Sequence, residues 1–311
     1  MTAVPPPNAG AGASVLAIDV GGTQLKSAVL DASGELGPIR RTPTPRSATD
    51  PGGAVVAAVG DLVATTRREA GILAVGVTVP GHVDEPAGIG IRSANLGWRN
   101  YPFTAALGDA IDLPVALAHD VRAAGEAEYR LGAAAGYTDV AVVTIGTGIA
   151  AALRLNGRPY SGRGQAGELG HSVVDPAGPL CACGNRGCLE AISSAGAIAR
   201  RYAEASGSAA DAAEVLRRAA TGEAIAAGIW AEALDALAIG LAQLCALVAP
   251  EAIILGGGLA EAGEQFFGPL PHLLRAVRGS APVPPILPAR LGQDAGTWGA
   301  ALAARDLLRQ P

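Results

Sequence analysis

The chain of 311 residues has little charge and no excess of basic residues, and this limits its possible partners. Charged residues make up 16% of the chain, and the formal net charge is -5. A protein that binds nucleic acid needs a basic surface to displace the counterions of the phosphate backbone. We therefore expect no nucleic-acid partner. At about 150 residues per domain, the length predicts about two domains.

The sequence also lacks a long hydrophobic run and a secretion signal. Its longest apolar stretch, Leu237 to Ala249, has 13 residues and contains Gln243, whereas a helix that crosses a bilayer needs about 20. The first residues, through Ser14, are rich in Pro, Gly and Ala and have neither the basic nor the apolar region of a signal peptide. We expect a disordered tail over residues 1–13, no membrane partner and a cytoplasmic protein.

Glycine marks two similar turns, one in each half of the chain. The apolar runs 14–20 and 23–30 are separated by Gly21-Gly22, which predicts a hairpin whose turn uses the positive φ that glycine permits. Gly146-Thr147-Gly148 separates two further strand candidates in the same way. The repeated hairpin suggests a duplicated domain, and alternating strand and helix patterns elsewhere predict an α/β fold.

Cysteine is scarce, but three of the four residues lie together in Cys181-Ala-Cys183-Gly-Asn-Arg-Gly-Cys188, with His171 upstream. Three thiolates and one imidazole are a ligand set typical of tetrahedral Zn²⁺. Such clustering without a signal peptide favours a metal site in a reducing compartment over disulfides. With four protein ligands, the zinc would be structural. The alternative is a group of unpaired buried cysteines, and we expect Cys245, within an apolar helix pattern, to be a core residue.

Three glycine turns could bind phosphate. Asp19 stands before Gly21-Gly22-Thr23, where backbone N–H groups could point at phosphate oxygens and the carboxylate could hold Mg²⁺ through water. Gly146-Thr147-Gly148 follows the same logic, and Gly256-Gly257-Gly258 follows another strand candidate. Taken alone, the first turn is better explained as an ordinary hairpin, and the turn 256–258 has a plain strand-to-helix loop as its alternative. The sequence contains no GxxxxGK[ST] pattern.

Carboxylates and imidazoles near these motifs could carry chemistry. Asp120 directly follows a strand candidate and precedes a helix, so it is either a helix N-cap or a general base at the carboxyl end of a strand. Glu168, His171 and Glu190 flank the cysteines. They could exchange hydrogen bonds with a polyol, or they could be solvated loop charges.

Together these residues resemble the ROK family of sugar kinases and related repressors, along nearly the whole chain after residue 14. The resemblance implies an actin-like, two-lobed α/β fold, a duplicated ribonuclease H-like unit with ATP and sugar in the cleft between the lobes. The lobes are expected over 14–120 plus 299–311 and over 121–298, with a homodimer or homotetramer as the assembly. The segments that carry the resemblance are Asp19-Val-Gly-Gly-Thr23, Val79-Pro80-Gly81, Asn95-Leu-Gly-Trp98, Glu168-Leu-Gly-His171, Cys181-x-Cys183-Gly-x-x-Gly-Cys188-x-Glu190 and Ile254-Leu-Gly256-Gly-Gly258.

The resemblance also implies an activity and a role for each of these residues. The implied reaction is ATP-dependent phosphorylation of a hexose or amino sugar, such as glucose or an N-acetylhexosamine, at the 6-hydroxyl, with Mg²⁺ and with Asp120 as general base. The implied sugar contacts are Asn95, His119, Glu168, His171 and Glu190. The implied ATP and Mg²⁺ contacts are Asp19, Gly21, Gly22, Thr23, Gly146, Thr147, Gly148, Gly256, Gly257 and Gly258. The implied zinc ligands are His171, Cys181, Cys183 and Cys188.

Two positions depart from the family pattern. Family kinases commonly have Asn before the catalytic Asp and again two residues after it, where this chain has His119 and Arg122. We expect His119 to contact the sugar, to alter selectivity among sugars, and to be able to charge near its reference pKa of about 6.5.

Three other functions are alternatives to the kinase. A non-catalytic sugar sensor of the same family is the main alternative. A polyphosphate donor would favour a basic channel, which the net charge does not suggest. A repressor is not expected, because only 18 residues precede Asp19 and they lack the basic charge of a DNA-reading helix.

Overall fold

The computed structural model describes residues 7–309, and the chain divides into two compact units. Unit 1 contains the residues up to Gly132, the segment Ser161–Gln165 and the residues from Asp294 onward. Unit 2 contains Ala133–Tyr160 and Ala166–Gln293. Each unit has its own five-stranded sheet and its own apolar core.

The described part of unit 1 contains eight strands and four helices. The strands are β1 Val15–Val20, β2 Gln24–Leu30, β3 Arg40–Pro43, β4 Ala74–Val79, β5 His82–Asp84, β6 Ile89–Arg92, β7 Arg99–Tyr101 and β8 Val115–His119. The helices are α1 Pro51–Glu69, α2 Phe103–Ala110, α3 Asp120–Leu131 and, at the far end of the chain, α10 Ala295–Leu307.

The main sheet of unit 1 has the strand order β3-β2-β1-β4-β8. β1 forms an antiparallel hairpin with β2 and pairs in parallel with β4, which pairs in parallel with β8. β5, β6 and β7 form a separate antiparallel sheet. Because β1, β4 and β8 run the same way, their carboxyl ends share one edge of the main sheet.

The described part of unit 2 contains five strands and six helices, with short 3-10 turns between them. The strands are β9 Val140–Ile145, β10 Ile149–Leu155, β11 Arg158–Tyr160, β12 Ala252–Gly256 and β13 Ile286–Pro288. The helices are α4 Leu189–Ser193, α5 Ala195–Ser206, α6 Ala212–Ala220, α7 Ala224–Val248, α8 Glu264–Phe267 and α9 Leu270–Arg278.

The sheet of unit 2 repeats the plan of unit 1. Its order is β11-β10-β9-β12-β13, with an antiparallel hairpin of β9 and β10 and parallel pairing of β9 with β12 and of β12 with β13. In each unit, the first strand of the hairpin lies at the centre of the sheet. The α/β class and the duplication expected from the two hairpins are confirmed.

The two faces of β1 have different neighbours, because successive side chains of a strand point to opposite sides. Leu16, Ile18 and Val20 belong to an apolar core that includes residues of α1 and α2. The other face of the sheet packs against α10. The approach there is so close at Gly76 that a Cβ would lie 1.8 Å from the carbonyl oxygen of Ala300.

The reason assigned to the glycines of the two hairpins was wrong, although the hairpins themselves form. Among the described residues, Gly21, Gly22, Gly146 and Gly148 are not among the glycines with positive φ. A side chain at Gly21 would meet backbone, and one at Gly148 would displace the carboxylate of Glu190. A Cβ on Gly21 would lie 2.7 Å from the carbonyl oxygen of Gln24, and one on Gly148 would lie 2.5 Å from Glu190 Oε2.

The expected disordered tail is ordered over the part next to β1. The backbone N–H groups of Ala9 and Gly12 donate to carbonyl oxygens of the β2–β3 loop, at 2.9 and 3.0 Å. Arg305 of α10 donates to the carbonyl oxygens of Gly10 and Ala13, at 2.6 and 3.0 Å. Residues 1–6 of the expected tail lie outside the described residues.

The boundary expected at residue 120 differs from the division into units. α3, which begins at Asp120, lies in unit 1 and packs against α10. At their closest approach, a Cβ on Gly299 would lie 2.2 Å from the carbonyl oxygen of Ala123. The first four residues of α10, which had been assigned to the second lobe, also lie in unit 1.

α7 is longer and more apolar than the sequence pattern suggested. Its 25 residues are sufficient in length and composition to cross a membrane, with a mean hydropathy of 1.7 over the most apolar window. Of that window, 56% is buried inside the protein, and residues such as Leu237, Leu241 and Leu244 belong to the core of unit 2. A core helix of a globular domain has these same properties.

We predict that Arg305→Met destabilises the fold. Arg305 is 2% exposed, and its guanidinium bonds to carbonyl oxygens of Gly10, Ala13 and Asp31. Methionine leaves these acceptors without their charged donor, which we expect to lower the free energy of unfolding by about 2 kcal/mol or more. Urea denaturation followed by circular dichroism measures the change.

The matched control for this variant is Arg309→Met. The side chain of Arg309 is 57% exposed, so this variant should change the free energy of unfolding by less than about 0.5 kcal/mol. Equal effects of the two substitutions would contradict the role assigned to Arg305.

Candidate functional site

The carboxyl ends of β1, β4 and β8 bring together residues that are far apart in sequence. In the parallel register, Asp19 is opposite Thr78, and Val79 is opposite His119. Asp120 follows β8 directly as the first residue of α3. Ligands of open parallel sheets bind outside this edge, so the edge is the candidate site of unit 1.

Asp19 is a largely buried carboxylate in a polar environment. Its Oδ1 accepts a hydrogen bond of 2.7 Å from Thr78 Oγ1, and its Oδ2 lies 3.9 Å from Lys26 Nζ. Burial raises the pKa of Asp19, while the bond from Thr78 and the charge of Lys26 act in the opposite direction. A divalent cation beside this carboxylate would compensate for its desolvation.

The carboxylate of Asp19 also faces the first turn of α10. A Cβ on Gly296 would lie 2.6 Å from Asp19 Oδ2. The backbone N–H groups of a first helical turn have no partner inside the helix, and the positive end of the helix dipole favours a negative charge there.

Asp120 lies at the N-terminus of α3, and its side chain is 29% exposed. Its Oδ1 accepts a 2.8 Å hydrogen bond from the backbone N–H of Val121 and lies 3.3 Å from His119 Nε2. The position at a strand end and the partial exposure are both compatible with a general base. The sequence had also allowed an N-cap, but that position belongs to His119.

His119 uses both ring nitrogens inside unit 1. Nδ1 accepts a 3.3 Å hydrogen bond from the backbone N–H of Arg122, which assigns the proton of a neutral ring to Nε2, facing Asp120. The side chain is 8% exposed. Burial, together with the nearby positive charge of Arg122, lowers the pKa of His119 to about 3. His119 therefore stays neutral near pH 6.5, where the sequence suggested that it could charge.

Asn95 lies beside the first glycine turn. A Cβ on Gly22 would lie 3.8 Å from Asn95 Nδ2. The guanidinium of Arg46 links the two segments by donating to the carbonyl oxygens of Asn95 and Gly22, at 3.0 and 2.8 Å. Arg46 thus holds the backbone at Asn95 next to the turn 21–23 and places a positive charge there.

The other two glycine turns meet at the carboxyl ends of parallel strands in unit 2. The turn 146–148 follows β9, and Gly256-Gly257-Gly258 begins at the end of β12. A Cβ on Gly257, whose φ is +83°, would lie 2.4 Å from the carbonyl oxygen of Ile145. The N-terminus of α5 supports the turn 146–148, because Ala195 N–H donates to the carbonyl oxygen of Gly146 at 2.8 Å.

Glu190 ties the turn 146–148 to the segment that carries the cysteines. Its Oε2 accepts a 2.8 Å hydrogen bond from the backbone N–H of Ile149. His171 is the last residue of a short 3-10 turn, and Glu168 directly precedes that turn. Glu168 Oε2 lies 3.8 Å from His171 Nε2. Both of these side chains are substantially exposed, 44% for Glu168 and 39% for His171, so they are available to a ligand.

His171 and the three cysteines form a cluster that fits a metal ion. Their ligand atoms all lie within 4.8 Å of one another. Cys183 Sγ is 3.6 Å from Cys188 Sγ, and His171 Nδ1 is 3.7 Å from Cys181 Sγ. Zinc–sulfur bonds of about 2.3 Å in a tetrahedron require sulfurs about 3.8 Å apart. The donor set and the spacing therefore suit Zn²⁺, with four protein ligands.

The loop around the cluster depends on glycine at one position. Gly187 has a φ of +68°, and a Cβ there would lie 1.4 Å from the carbonyl oxygen of Asp175. The same residue accepts backbone hydrogen bonds from Val174 and Asp175 and donates one to Pro179. The loop folds back on itself here, which brings Cys188 to the other ligands.

The sequence analysis missed four side chains at the site in unit 1. Lys26 and Thr78 are the cross-strand neighbours of Asp19, and the hairpin register alone would have found Lys26. Arg46 and Glu85 lie in loops, and no periodic signal marks them. Glu85 Oε1 accepts a 2.6 Å bond from the backbone N–H of His119, and Oε2 accepts a 3.1 Å bond from Arg122 Nε.

The residues expected at one site are divided between the units. Unit 1 holds Asp19, Asn95, His119, Asp120 and the turn 21–23. Unit 2 holds the other two glycine turns, the metal cluster and the acidic residues Glu168 and Glu190. Cys245 is buried within α7, in the core of unit 2, as the sequence predicted.

Comparison with known proteins places similar sequences and structures along almost the whole chain. The profile of the ROK family matches residues 15–307. A glucokinase of Streptomyces coelicolor is 31% identical over 95% of this chain and 98% of its own length. An N-acetylmannosamine kinase of Citrobacter koseri is 35% identical over 94% of this chain and 99% of its own length.

A solved structure supports the same relationship. The crystal structure of a ROK family glucokinase from Streptomyces griseus, in complex with glucose and AMPPNP, is 31% identical with a TM-score of 0.82. The similarity covers 94% of this chain and 99% of that one. The expected actin-like class of sugar kinase folds is thereby confirmed.

We predict that the purified protein binds about one zinc ion per chain and that Cys183→Ser weakens this binding. Cys183 is exposed, so the substitution removes a thiolate without opening the core. The expected result is loss of zinc to a competing chelator at a concentration that leaves the wild-type protein loaded. Atomic absorption after dialysis measures the zinc content.

The control is Cys245→Ser, which alters a buried cysteine outside the cluster. This variant should retain its zinc, even if the buried hydroxyl lowers its stability. Zinc retention by Cys183→Ser equal to that of the wild type would exclude the four-ligand site.

Proposed function

The chain belongs to the ROK family, and from this premise we propose that it phosphorylates a hexose or an amino sugar with ATP as donor. Glucose and N-acetylhexosamines are the proposed substrates, and the 6-hydroxyl is the proposed acceptor. The observation that carries the proposal is Asp120, a partly exposed carboxylate at the carboxyl end of β8, on the same sheet edge as Asp19. Similarity to kinases of glucose and of N-acetylmannosamine supports both substrate classes.

Asp120 is proposed to act as general base. Its carboxylate would accept the proton of the sugar hydroxyl as that oxygen attacks the γ-phosphorus of ATP, and the bond from that phosphorus to the bridging oxygen would break to release ADP. The N–H of Val121 holds one oxygen of this carboxylate in place. Positioning and charge stabilisation, rather than covalent chemistry, provide most of the catalysis of phosphoryl transfer.

Asp19 and the three glycine turns are proposed to bind ATP and Mg²⁺. Magnesium neutralises the charge that develops on the transferred group. The desolvated carboxylate of Asp19 is the proposed residue to hold it. Gly21, Gly22 and Thr23 in unit 1, and the turns 146–148 and 256–258 in unit 2, offer backbone N–H groups to phosphate oxygens.

Asn95, Glu168, His171 and Glu190 are proposed to bind sugar hydroxyls. His171 would have two functions, since Nδ1 faces the cysteines while Nε2 faces Glu168. Zinc bound by Nδ1 and the three cysteines would fix the orientation of the ring and leave Nε2–H as a donor. The zinc is therefore proposed to be structural, and its effect on the sugar would be indirect.

The setting and assembly are also proposals. A cytoplasmic location agrees with a cysteine cluster that binds metal as thiolates. A homodimer or homotetramer is proposed on the basis of the family resemblance. The alternative function is a sugar sensor of the same family without catalysis.

The proposed function predicts that Asp120→Asn abolishes sugar phosphorylation. The amide oxygen can still accept the bond from Val121, so the fold should be preserved, but the amide cannot take a proton. We expect kcat to fall by about 10²- to 10⁴-fold. ADP release is measured with Mg-ATP against glucose, mannose, fructose, glucosamine, N-acetylglucosamine and N-acetylmannosamine.

Asp112→Asn is the matched control, because the side chain of Asp112 is fully exposed. It should leave kcat unchanged on the sugar that the wild type prefers. Turnover that survives in Asp120→Asn would exclude Asp120 as the base. Binding of a sugar by folded wild-type protein without turnover would favour the sensor.

A further inference from the structure

We propose that His119 is a positioning residue, which is held by Glu85 and Arg122 and in turn orients the carboxylate of Asp120. This inference rests on the proposed kinase function. It replaces the direct sugar contact that the sequence suggested for His119. Its basis is a set of hydrogen bonds around residues 119–122 together with the 3.3 Å approach of His119 Nε2 to Asp120 Oδ1, all within unit 1.

Glu85 accepts hydrogen bonds from residues on both sides of Asp120 in the sequence. Its Oε1 accepts the backbone N–H of His119 at 2.6 Å, and its Oε2 accepts Arg122 Nε at 3.1 Å. Arg122 also donates through Nη2 to the carbonyl oxygen of Val83 at 3.1 Å. The residue before Asp120 and the residue two positions after it are thus fixed to the same turn after β5.

The imidazole of His119 completes this arrangement. Nδ1 accepts the backbone N–H of Arg122, and Nε2 lies 3.3 Å from Asp120 Oδ1. Nδ1 is engaged by a backbone donor, Nε2 faces a carboxylate, and the ring also hydrogen-bonds to the backbone of Gly81, so no in-plane position remains for a sugar hydroxyl. Its 8% side-chain exposure agrees with a residue that acts through its neighbour.

A donor on Asp120 Oδ1 would have two effects on a general base. It would restrict rotation of the carboxylate about its side-chain bond, and it would favour the charged form that accepts a proton. The charged and titratable groups that face His119 are Asp120 and Arg122 on α3, Glu85 after β5, and His82 on β5. With this set of neighbours, we expect the ring to remain neutral across the range in which the enzyme works.

Two substitutions at His119 separate positioning from a sugar contact. Gln places an amide N–H₂ near the position of imidazole Nε2, whereas Leu provides volume without a donor. We expect His119→Leu to lower kcat by about tenfold or more, to the same extent on every accepted sugar, with KM changed by less than about twofold. His119→Gln should recover kcat to within about threefold of the wild type.

Glu85→Gln tests the remote part of the arrangement. It should lower kcat by at least about threefold without changing the order of preference among sugars. Glu69→Gln is the matched control, since the exposed pair of Glu69 with Arg40 has the same 3.1 Å separation as the pair of Glu85 with Arg122. A loss that depends on the sugar, or that appears mainly in KM, would overturn the proposal and restore a direct contact for His119.

A spectroscopic measurement tests the geometry independently of activity. In long-range ¹H–¹⁵N spectra, His119 should be protonated at Nε2 and unprotonated at Nδ1 from pH 5 to 8. The substitution Asp120→Asn should shift the Nε2 signal of His119. Protonation at Nδ1, or titration near pH 6.5, would overturn the proposal. If the wild type turns over no sugar, the kinase assignment fails, and these spectra alone decide whether His119 holds the carboxylate.

Discussion

The parallel pairing of β1, β4 and β8 is the constraint on which the rest of the site in unit 1 depends. Its register sets Asp19 opposite Thr78 and ends β8 immediately before Asp120. A slip of one residue in β1 would turn Asp19 to the face that packs against α1 and α2, because alternate side chains of a strand lie on opposite faces. An unpaired carboxylate among apolar side chains would destabilise the unit. The core therefore selects the register that builds the site.

The two units use the same sheet plan for different chemistry. In unit 1 the strand ends carry the carboxylates of Asp19, which accepts a hydrogen bond from Thr78, and of Asp120, which lies 3.3 Å from His119 Nε2. In unit 2 the strand ends carry glycine turns, and the neighbouring loop is shaped by the cysteine cluster. The glycine turn 21–23 at the end of β1 is the feature that the two units share, and the candidate base Asp120 belongs to unit 1.

Three buried polar side chains in unit 1 have partners that explain their burial. Arg305 binds three carbonyl oxygens, Asp19 is bonded by Thr78, and the neutral ring of His119 accepts a hydrogen bond at Nδ1 while its Nε2 lies 3.3 Å from Asp120 Oδ1. Each group would be costly without these contacts. Arg305 joins α10 to the N-terminal segment and to the end of β2, and the bond between Thr78 and Asp19 joins β4 to β1.

Much of this protein could be predicted from its sequence alone. The two hairpins follow from apolar runs interrupted by glycine, and the metal cluster follows from closely spaced cysteines, because both signals are local. The roles of Gly21 and Gly148 could not be predicted correctly, since the atoms that approach them are the backbone oxygen of Gln24 and the carboxylate of Glu190. The same holds for His119. Glu85 reaches His119 only when β8 has paired with β4 and the turn after β5 lies next to the end of β8. The tertiary structure alone decides which atom each ring nitrogen faces.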